Sequence, residues 1–252
     1  MINAHKVLIL GGTGEALEIA SHLRQQLPHI QTITSLAGRT KNPRTPPGQV
    51  ISGGFGGEAG LLTFIKNEKI QLVIDATHPF AQTISTNSYR ACKKSNIPRI
   101  GLIRPEWKFN KYTNFLQVEN VEAASNALND LSTRIFITIG IQGLNHFEKI
   151  KNVWFLIRLI QAPTHPLKIQ NHKVILCPPP FNLKTERNLL KKFRINCLIS
   201  KNSGSNATKA KIIAASELNI PIILIRQPPQ PIGPQFDNVS KCLELVKKLL
   251  NN

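Results

Sequence analysis

The feature that most constrains the fold is a short apolar run near the amino terminus that is followed at once by glycines, VLILGGTGEA from Val7 to Ala16. Four consecutive apolar residues, two of them β-branched, predict a strand that is buried on both faces. From Gly14 to Leu27, apolar residues recur at the spacing of a helix, and Pro28 ends that pattern. A buried strand that turns through glycines into a helix indicates an α/β fold.

The turn between this strand and this helix is a candidate anion site. Gly12 and Gly14 match the first two glycines of the dinucleotide-binding pattern G-x-G-x-x-G/A, whereas Leu17 stands at the third position. The first N–H groups of a helix and the positive end of its dipole suit a phosphate. These residues leave two interpretations open: a nucleotide pyrophosphate site, or a tight glycine turn that binds nothing.

Alternating strand and helix patterns continue along the chain. They predict two Rossmann-like α/β domains, each with a mainly parallel sheet flanked by helices. We expect an amino-terminal dinucleotide-binding domain at residues 1–103 and a carboxyl-terminal domain at residues 104–252, with the crossing at Arg104-Pro105. Within the second domain, apolar spacing predicts helices at 121–131 and 142–150, among others.

The end of the second predicted strand bears on the choice of dinucleotide. The β-branched stretch 30–36 is followed by Arg39, and no acidic residue lies between Glu18 and Glu58. At this place in a dinucleotide fold, an acidic residue binds the ribose 2′-OH of NAD, whereas an arginine accommodates the 2′-phosphate of NADP. Arg39 therefore favours NADP(H). The alternative is that Arg39, with Lys41 and Arg44 nearby, belongs to a set of ordinary solvated loop charges.

Polar residues follow the fourth predicted strand, where ligands bind in open α/β sheets. They are Asp75, Thr77 and His78. His78 is titratable near neutral pH, so it is a candidate for proton transfer. A lone histidine is equally consistent with a purely structural role.

A second polar loop follows the strand predicted at 197–200. It contains Lys201, Asn202, Ser203 and Gly204, which combine a cation with hydroxyl, amide and backbone N–H groups. Such a combination can form an anion cradle. The alternative is the ordinary start of a helix capped by polar residues.

The chain is strongly basic, with 32 Lys and Arg against 14 Asp and Glu and a formal net charge of +18. Residues 1–103 contribute +6 and residues 104–252 contribute +12. Such a field attracts polyanions. Because the lysines occur singly or in pairs and aromatic residues make up only 6% of the chain, we expect no nucleic-acid partner. Solvated faces and a small polycarboxylate ligand remain as explanations.

The cysteines and the hydropathy of the chain bound its setting. The four cysteines are scattered without a C-x-x-C pair, so we expect neither a metal site nor disulfides. No apolar run approaches the ~18 residues of a membrane span, and the first strand leaves no room for a signal peptide. A cytoplasmic protein without a membrane partner is therefore expected, and the oligomeric state stays open.

Together, these motifs resemble the precorrin-6A reductase family of cobalamin biosynthesis, including the cobalt-precorrin-6A form of the anaerobic route. The resemblance covers nearly the whole chain. It is carried in order by LILGGTGEA, SLAGRT, GGFGG, IDATHPFA, SKNSG and the late RQPP. The chain departs from the family where a T-G-R-Q stretch is expected, since it has Gly140-Ile141-Gln142, and at Ser205, where a second glycine is expected after SKNSG.

The resemblance implies hydride transfer from NADPH to a carbon–carbon double bond of an anionic tetrapyrrole, with precorrin-6B as the product. It assigns the pyrophosphate to Gly12, Thr13, Gly14 and Glu15. It also assigns the 2′-phosphate to Arg39, the surroundings of the nicotinamide to Thr77 and His78, and proton donation to His78.

For the substrate, the resemblance implies that the basic second domain binds the carboxylates of the macrocycle through Lys201, Asn202, Ser203 and Gly204. The alternative function is a non-catalytic regulatory protein that binds NADP(H) with the same fold, which the glycine turn and Arg39 would equally permit.

Overall fold

The computed structural model describes residues 5–38, 44–109, 114–128 and 132–250. The chain divides into two compact units: unit 1 comprises Met1–Pro105 and Pro228–Asn252, and unit 2 comprises Glu106–Gln227. The strands are, in chain order, β1 (Lys6–Leu10), β2 (Gln31–Leu36), β3 (Gln49–Ser52), β4 (Leu72–Asp75), β5 (Arg99–Leu102), β6 (Phe115–Val118), β7 (Arg134–Thr138), β8 (Trp154–Leu159), β9 (His172–Leu176), β10 (Cys197–Lys201), β11 (Ile222–Ile225) and β12 (Gln235–Phe236). The helices are α1 (Gly14–Gln26), α2 (Gly57–Asn67), α3 (Gln82–Ser95), α4 (Val121–Asn126), α5 (Leu183–Lys192), α6 (Asn206–Glu217) and α7 (Val239–Leu250).

Unit 1 is built on a six-stranded parallel sheet with the order β12-β5-β4-β1-β2-β3. As predicted, β1 is buried on both faces. Val7 and Ile9 belong to the apolar cluster that includes α1 and α7, whereas Leu8 and Leu10 belong to the cluster that includes α2 and α3. The strand order reverses between β1 and β4, which makes the carboxyl ends of these two strands a topological switch point.

Unit 2 repeats this plan with a second six-stranded parallel sheet, ordered β6-β11-β10-β7-β8-β9. Apolar residues of α5 and α6 cover one face of this sheet, where they form a cluster with Phe136 and Leu198 of the strands. Its strand order reverses between β7 and β10. The predicted fold class, two Rossmann-like domains with parallel sheets flanked by helices, is confirmed.

The division of the chain differs from the prediction, which put all of 104–252 in the second domain. Residues 228–252 return to unit 1 because β12 pairs with β5, with Gln235 opposite Gly101 and Phe236 opposite Leu102. The apolar face of α7 then packs against α1 and β1 in one cluster. Unit 1 therefore draws its sixth strand and a covering helix from the far end of the chain.

Two predicted helices are shorter than expected. The helix predicted at 121–131 is helical only over α4, and residues 129–131 lie outside the described residues. The helix predicted at 142–150 is a single 3-10 turn over Leu144–Phe147, since Gly143 before it has a φ of +93°. Leu144 and Phe147 are both buried. Their spacing resembles that of a helix, which explains why the sequence predicted a longer helix than the structure has.

None of the helices in the described ranges is long and apolar enough to cross a membrane. Within the same ranges, no group of three or more His, Cys, Asp or Glu side chains lies close enough together to hold a metal ion.

Candidate functional site

The turn after β1 presents open backbone at the switch point of unit 1. Gly12 has a φ of +98°, which side-chain-bearing residues rarely adopt, and a Cβ built on it would meet no atom within 4 Å. A Cβ on Gly14 would also meet nothing within 4 Å. Both glycines are exposed. The space above the turn is therefore available to a ligand that approaches the main chain.

Thr13 lies between these glycines and caps α1. Its Oγ1 accepts a hydrogen bond from the N–H of Ala16 at 3.1 Å and donates one to the carbonyl oxygen of Ala76 at 2.6 Å. The second bond ties the start of α1 to the end of β4. Helix geometry leaves the N–H groups of Gly14 and Glu15 without an intrahelical acceptor, so they suit an anion.

The carboxylate of Glu15 is already engaged by an arginine. Arg104 donates from Nε to Oε1 and from Nη2 to Oε2, both at 2.5 Å. Burial alone would raise the pKa of Glu15, but the hydrogen bonds and charge of Arg104 outweigh it and hold this pKa below its ordinary value, with a smaller contribution from His78. Glu15 is therefore an anion, and it can serve a phosphate through its backbone N–H but not through its side chain.

A buried polar network supports the loop after β4. Asp75 forms an ion pair with Arg99, whose Nη2 lies 2.5 Å from Oδ2, and Arg99 Nε donates to Ser88 Oγ at 2.9 Å. The hydroxyl of Thr77 donates to Asp75 Oδ1 at 2.7 Å and lies 3.3 Å from Ser85 Oγ. Thr77, predicted to contact the cofactor, is thereby held in place. Asp75 itself is a structural residue.

His78 follows this network and is exposed. Its Nδ1 accepts a hydrogen bond from the N–H of Phe80 at 3.3 Å, so in the neutral ring the proton sits on Nε2. The neighbouring Pro79 is fixed from the other end of the chain, since Gln230 Nε2 donates to its carbonyl oxygen at 2.9 Å. The imidazole therefore has a defined tautomer on a loop that is anchored at the switch point.

Arg39, the predicted contact for a 2′-phosphate, lies outside the described residues. The described chain stops at Gly38 and resumes at Arg44, which is exposed. The assignment of Arg39 remains a prediction.

In unit 2, two polar side chains of the loop after β10 form hydrogen bonds within the protein that stabilise the loop. Asn202 is buried, and its Oδ1 accepts from the N–H of Trp107 at 2.9 Å. Ser203 is also buried, with its Oγ 3.1 Å from Thr208 Oγ1. Lys201 and Gly204 are half-buried, and Gly204 has a φ of +68°. The structure therefore gives Asn202 and Ser203 structural contacts that their residue types did not indicate.

Unit 2 also contains a buried charged cluster that the sequence did not indicate. Arg158 forms a bidentate ion pair with Glu186, at 2.7 and 3.0 Å. Lys211 Nζ donates to the carbonyl oxygen of Thr208 at 3.0 Å and lies 5.3 Å from the ring centre of Trp107. Burial and, to a smaller extent, the charge of Arg158 together lower the pKa of Lys211 to about 7 against the opposing effect of Glu186.

Neither Arg104 nor Lys211 was among the predicted site residues, for different reasons. Arg104 comes shortly after β5, so the argument that selected Asp75 and His78, polar residues at the end of a parallel strand, could have selected it. Lys211 stands between Ala210 and Ile212 in an otherwise apolar stretch of α6. A single lysine in a helix normally indicates an exposed position, so no sequence signal marked its burial.

Comparison with known proteins gives one consistent family. The model of the family described as precorrin-6x reductase CbiJ/CobK matches residues 6–247. A precorrin-6A reductase from Rhodococcus erythropolis is 41% identical, over 97% of this chain and 98% of the relative. A cobalt-precorrin-6A reductase from Methanocaldococcus jannaschii is 28% identical, over 96% of this chain and 98% of the relative.

A solved structure named "CobK precorrin-6A reductase" superimposes with a TM-score of 0.92 at 32% identity, covering 98% of this chain and 97% of that one. The chain therefore belongs to the precorrin-6x reductase family, as the resemblance in its motifs indicated.

Proposed function

We propose that this member of the family reduces precorrin-6A, or its cobalt form, to the corresponding precorrin-6B with NADPH as the electron donor, as a step of cobalamin biosynthesis. Family membership supports the reaction, and the turn after β1 supports the cofactor. In this turn, exposed glycines border open space at the switch point of a parallel sheet, where a dinucleotide can bind. The metal-free substrate is the one to test first, because the relative named for it is the more similar of the two described above.

The residues of unit 1 fit a dinucleotide. The backbone at Gly12 and Gly14 can approach a pyrophosphate, and the N–H groups of Gly14 and Glu15 can donate to it at the positive end of α1. Thr13 would contribute by fixing this end of the helix, since both hydrogen bonds of its hydroxyl are made within the protein. When bound, the nicotinamide supplies a hydride for the reduction.

The preference for NADPH over NADH rests on Arg39. An arginine at the end of the second strand accommodates a 2′-phosphate, and no acidic residue stands there to bind a ribose 2′-OH instead. A guanidinium can hold a phosphate by charge-assisted hydrogen bonds.

Reduction of the double bond adds one hydride and one proton, and the dinucleotide leaves oxidised. His78 is the proposed proton donor: as an imidazolium it can give one proton to the substrate and return to the neutral ring, whose Nδ1 accepts from the N–H of Phe80, and its loop lies at the switch point. Thr77 would hold the start of this loop near the nicotinamide through its bond to Asp75.

For the substrate, we assign the carboxylate contacts of the loop after β10 to the ammonium group of Lys201 and to backbone N–H groups around Gly204. Asn202 and Ser203 contribute by holding this loop, since the structure uses Asn202 Oδ1 and Ser203 Oγ for internal hydrogen bonds. The excess positive charge of the chain suits a substrate that carries several carboxylates.

The test is to mix purified protein with NADPH and precorrin-6A and to follow the loss of NADPH absorbance together with formation of the reduced product. Turnover that is faster with NADPH than with NADH supports the proposal. NADPH binding without turnover on either form of the substrate would contradict it and favour the regulatory alternative. The matched variants are Arg39→Ala, expected to weaken NADPH binding by about tenfold or more without affecting NADH, and Arg44→Ala in the same loop, expected to change neither.

A further inference from the structure

We propose that Arg104 is a positioning residue of the dinucleotide site: it neutralises the carboxylate of Glu15 so that the amino end of α1 accepts a pyrophosphate. This inference rests on the function proposed above. It adds a residue that lies outside the glycine turn and that acts through Glu15.

Glu15 lies at the amino end of α1. It is the second residue of this helix, directly after Gly14, where backbone N–H groups lack intrahelical acceptors. An acidic side chain here is favourable to the helix itself, because it lies at the positive end of the dipole. It is unfavourable to a phosphate at the same end, because two anions would then compete for one positive region.

Arg104 removes this conflict by its position and geometry. Both oxygens of Glu15 accept hydrogen bonds from one guanidinium, and the side chains of Arg104 and Glu15 are only 13% and 29% exposed. A bidentate pair that is sheltered from solvent cancels charge more completely than an exposed pair of lysine and glutamate would. The helix end then presents its N–H groups to a ligand without a net negative charge beside them.

The arrangement draws on three adjacent strands of unit 1. Glu15 follows β1, His78 follows β4 and Arg104 follows β5, and the sheet order places these strands side by side as β5-β4-β1. The carboxyl ends of parallel strands meet at one edge of the sheet, where the dinucleotide is proposed to bind. Arg104 and His78 thus both act on the carboxylate of Glu15 at that edge, which favours the approach of an anion.

A double-mutant cycle on Glu15 and Arg104 tests the inference through the Kd for NADPH, measured by quenching of protein fluorescence or by calorimetry. Arg104→Gln leaves the carboxylate unpaired and is expected to raise the Kd at least about tenfold. Glu15→Gln removes the anion and is expected to leave the Kd equal to the parent value or lower it. The double variant Glu15→Gln/Arg104→Gln is expected to return to within about threefold of the parent, because no unpaired charge remains.

The rescue in the double variant is the decisive readout, since a purely structural role for Arg104 would not be repaired by removing Glu15. An unchanged Kd in Arg104→Gln would overturn the inference, and so would a double variant that binds as weakly as Arg104→Gln. If Arg104→Gln does not fold, Glu15→Gln alone still decides: a Kd above the parent value overturns the inference.

Two controls separate this result from others. Lys6→Gln breaks an ion pair of the same unit, Lys6 with Glu68 at 3.1 Å, at the opposite end of β1, and is expected to leave the Kd unchanged. Because the pyrophosphate is common to both dinucleotides, Arg104→Gln should weaken NADH and NADPH by the same factor, unlike Arg39→Ala. A parent protein that binds neither dinucleotide would refute the proposed function itself, whereas a parent that binds both with no effect of Arg104 would refute only this inference.

Discussion

The turns after β1 and β10 each lie at the switch point of a parallel sheet, yet their polar groups make different contacts. In unit 1, Gly12 and Gly14 border open space, and Thr13 caps α1 through its side chain. In unit 2, Asn202 and Ser203 are buried and bonded internally, and the cap residue of α6, Ser205, makes no side-chain capping bond. The first turn leaves backbone N–H groups accessible to a ligand, whereas side chains of the second turn form hydrogen bonds that stabilise the turn itself.

Under the proposed function, this difference implies that the two turns bind their ligands through different groups. A glycine turn over open space can bind a pyrophosphate through main-chain N–H groups, which requires a fixed helix end and no side-chain bulk. A loop that is fixed from within can present one cation and a few N–H groups to a carboxylate. The same strand–turn–helix plan can therefore serve a dinucleotide in one unit and an acidic substrate in the other.

The largest expected effect comes from closing the open turn with a methyl group. Gly12→Ala places a Cβ where the phosphate is proposed to lie, at a φ that disfavours side chains, and should weaken NADPH binding by about 100-fold, or ~2.7 kcal/mol. The matched control is Gly140→Ala after β7, since Gly140 also has a positive φ, of +79°, with no atom within 4 Å of its built Cβ. Both variants should lose similar stability in urea unfolding, and only Gly12→Ala should lose NADPH. Equal NADPH binding by the two variants would contradict the proposed position of the phosphate over Gly12.

The next effect concerns the internally bonded turn. Asn202→Ala leaves the buried N–H of Trp107 without its acceptor and should lower the free energy of unfolding by about 1–3 kcal/mol. NADPH binding to unit 1 should not change. Asn206→Ala, at an exposed position at the start of α6, serves as the control and should be close to neutral in the same urea titration. An Asn202→Ala variant as stable as the parent would show that the loop does not depend on this bond.

The smallest effect is a pH dependence of stability that arises from Lys211 on α6, the helix after the second turn. The pKa of Lys211 is lowered to about 7, so between pH 7 and 10 the unfolded chain holds a proton on this amine that the folded chain has largely lost. Stability therefore rises with pH over this range. Lys211→Met removes the titration, so the free energy of unfolding of the parent relative to this variant should increase by about 1–2 kcal/mol from pH 7 to 8.5.

Urea titrations at these two pH values measure that increase, and Lys209→Met on the same helix is the control. A parent-to-variant difference that stays constant with pH would mean that Lys211 remains protonated in the folded protein.

The sequence predicted most of the fold because hydrophobic periodicity is strong in buried parallel strands. The run from Val7 to Leu10 is an example, since it is buried on both faces as expected. The return of the chain to unit 1 was missed because β12 has only two residues, Gln235 and Phe236, which carry no periodic signal. The apolar face of α7 was recognisable as helical, but a pattern on one helix does not specify which sheet it covers.

The candidate site was predicted less completely, because residue type alone does not determine which partner a polar side chain bonds. Asn202 and Ser203 suit an anion by chemistry, yet they hold the loop. The family resemblance assigned Glu15 to the pyrophosphate, yet its carboxylate is paired with Arg104, a contact between residues far apart in sequence. Such long-range pairings arise from the sheet order and are not visible in a local motif.

Hydrogen–deuterium exchange with and without saturating NADPH compares the two turns in one experiment. We predict that NADPH slows exchange at the backbone amides of residues 12–16 and of the loop 77–80, and leaves residues 202–206 unchanged. Protection at 202–206 with none at 12–16 would contradict the assignment of the dinucleotide to the turn after β1.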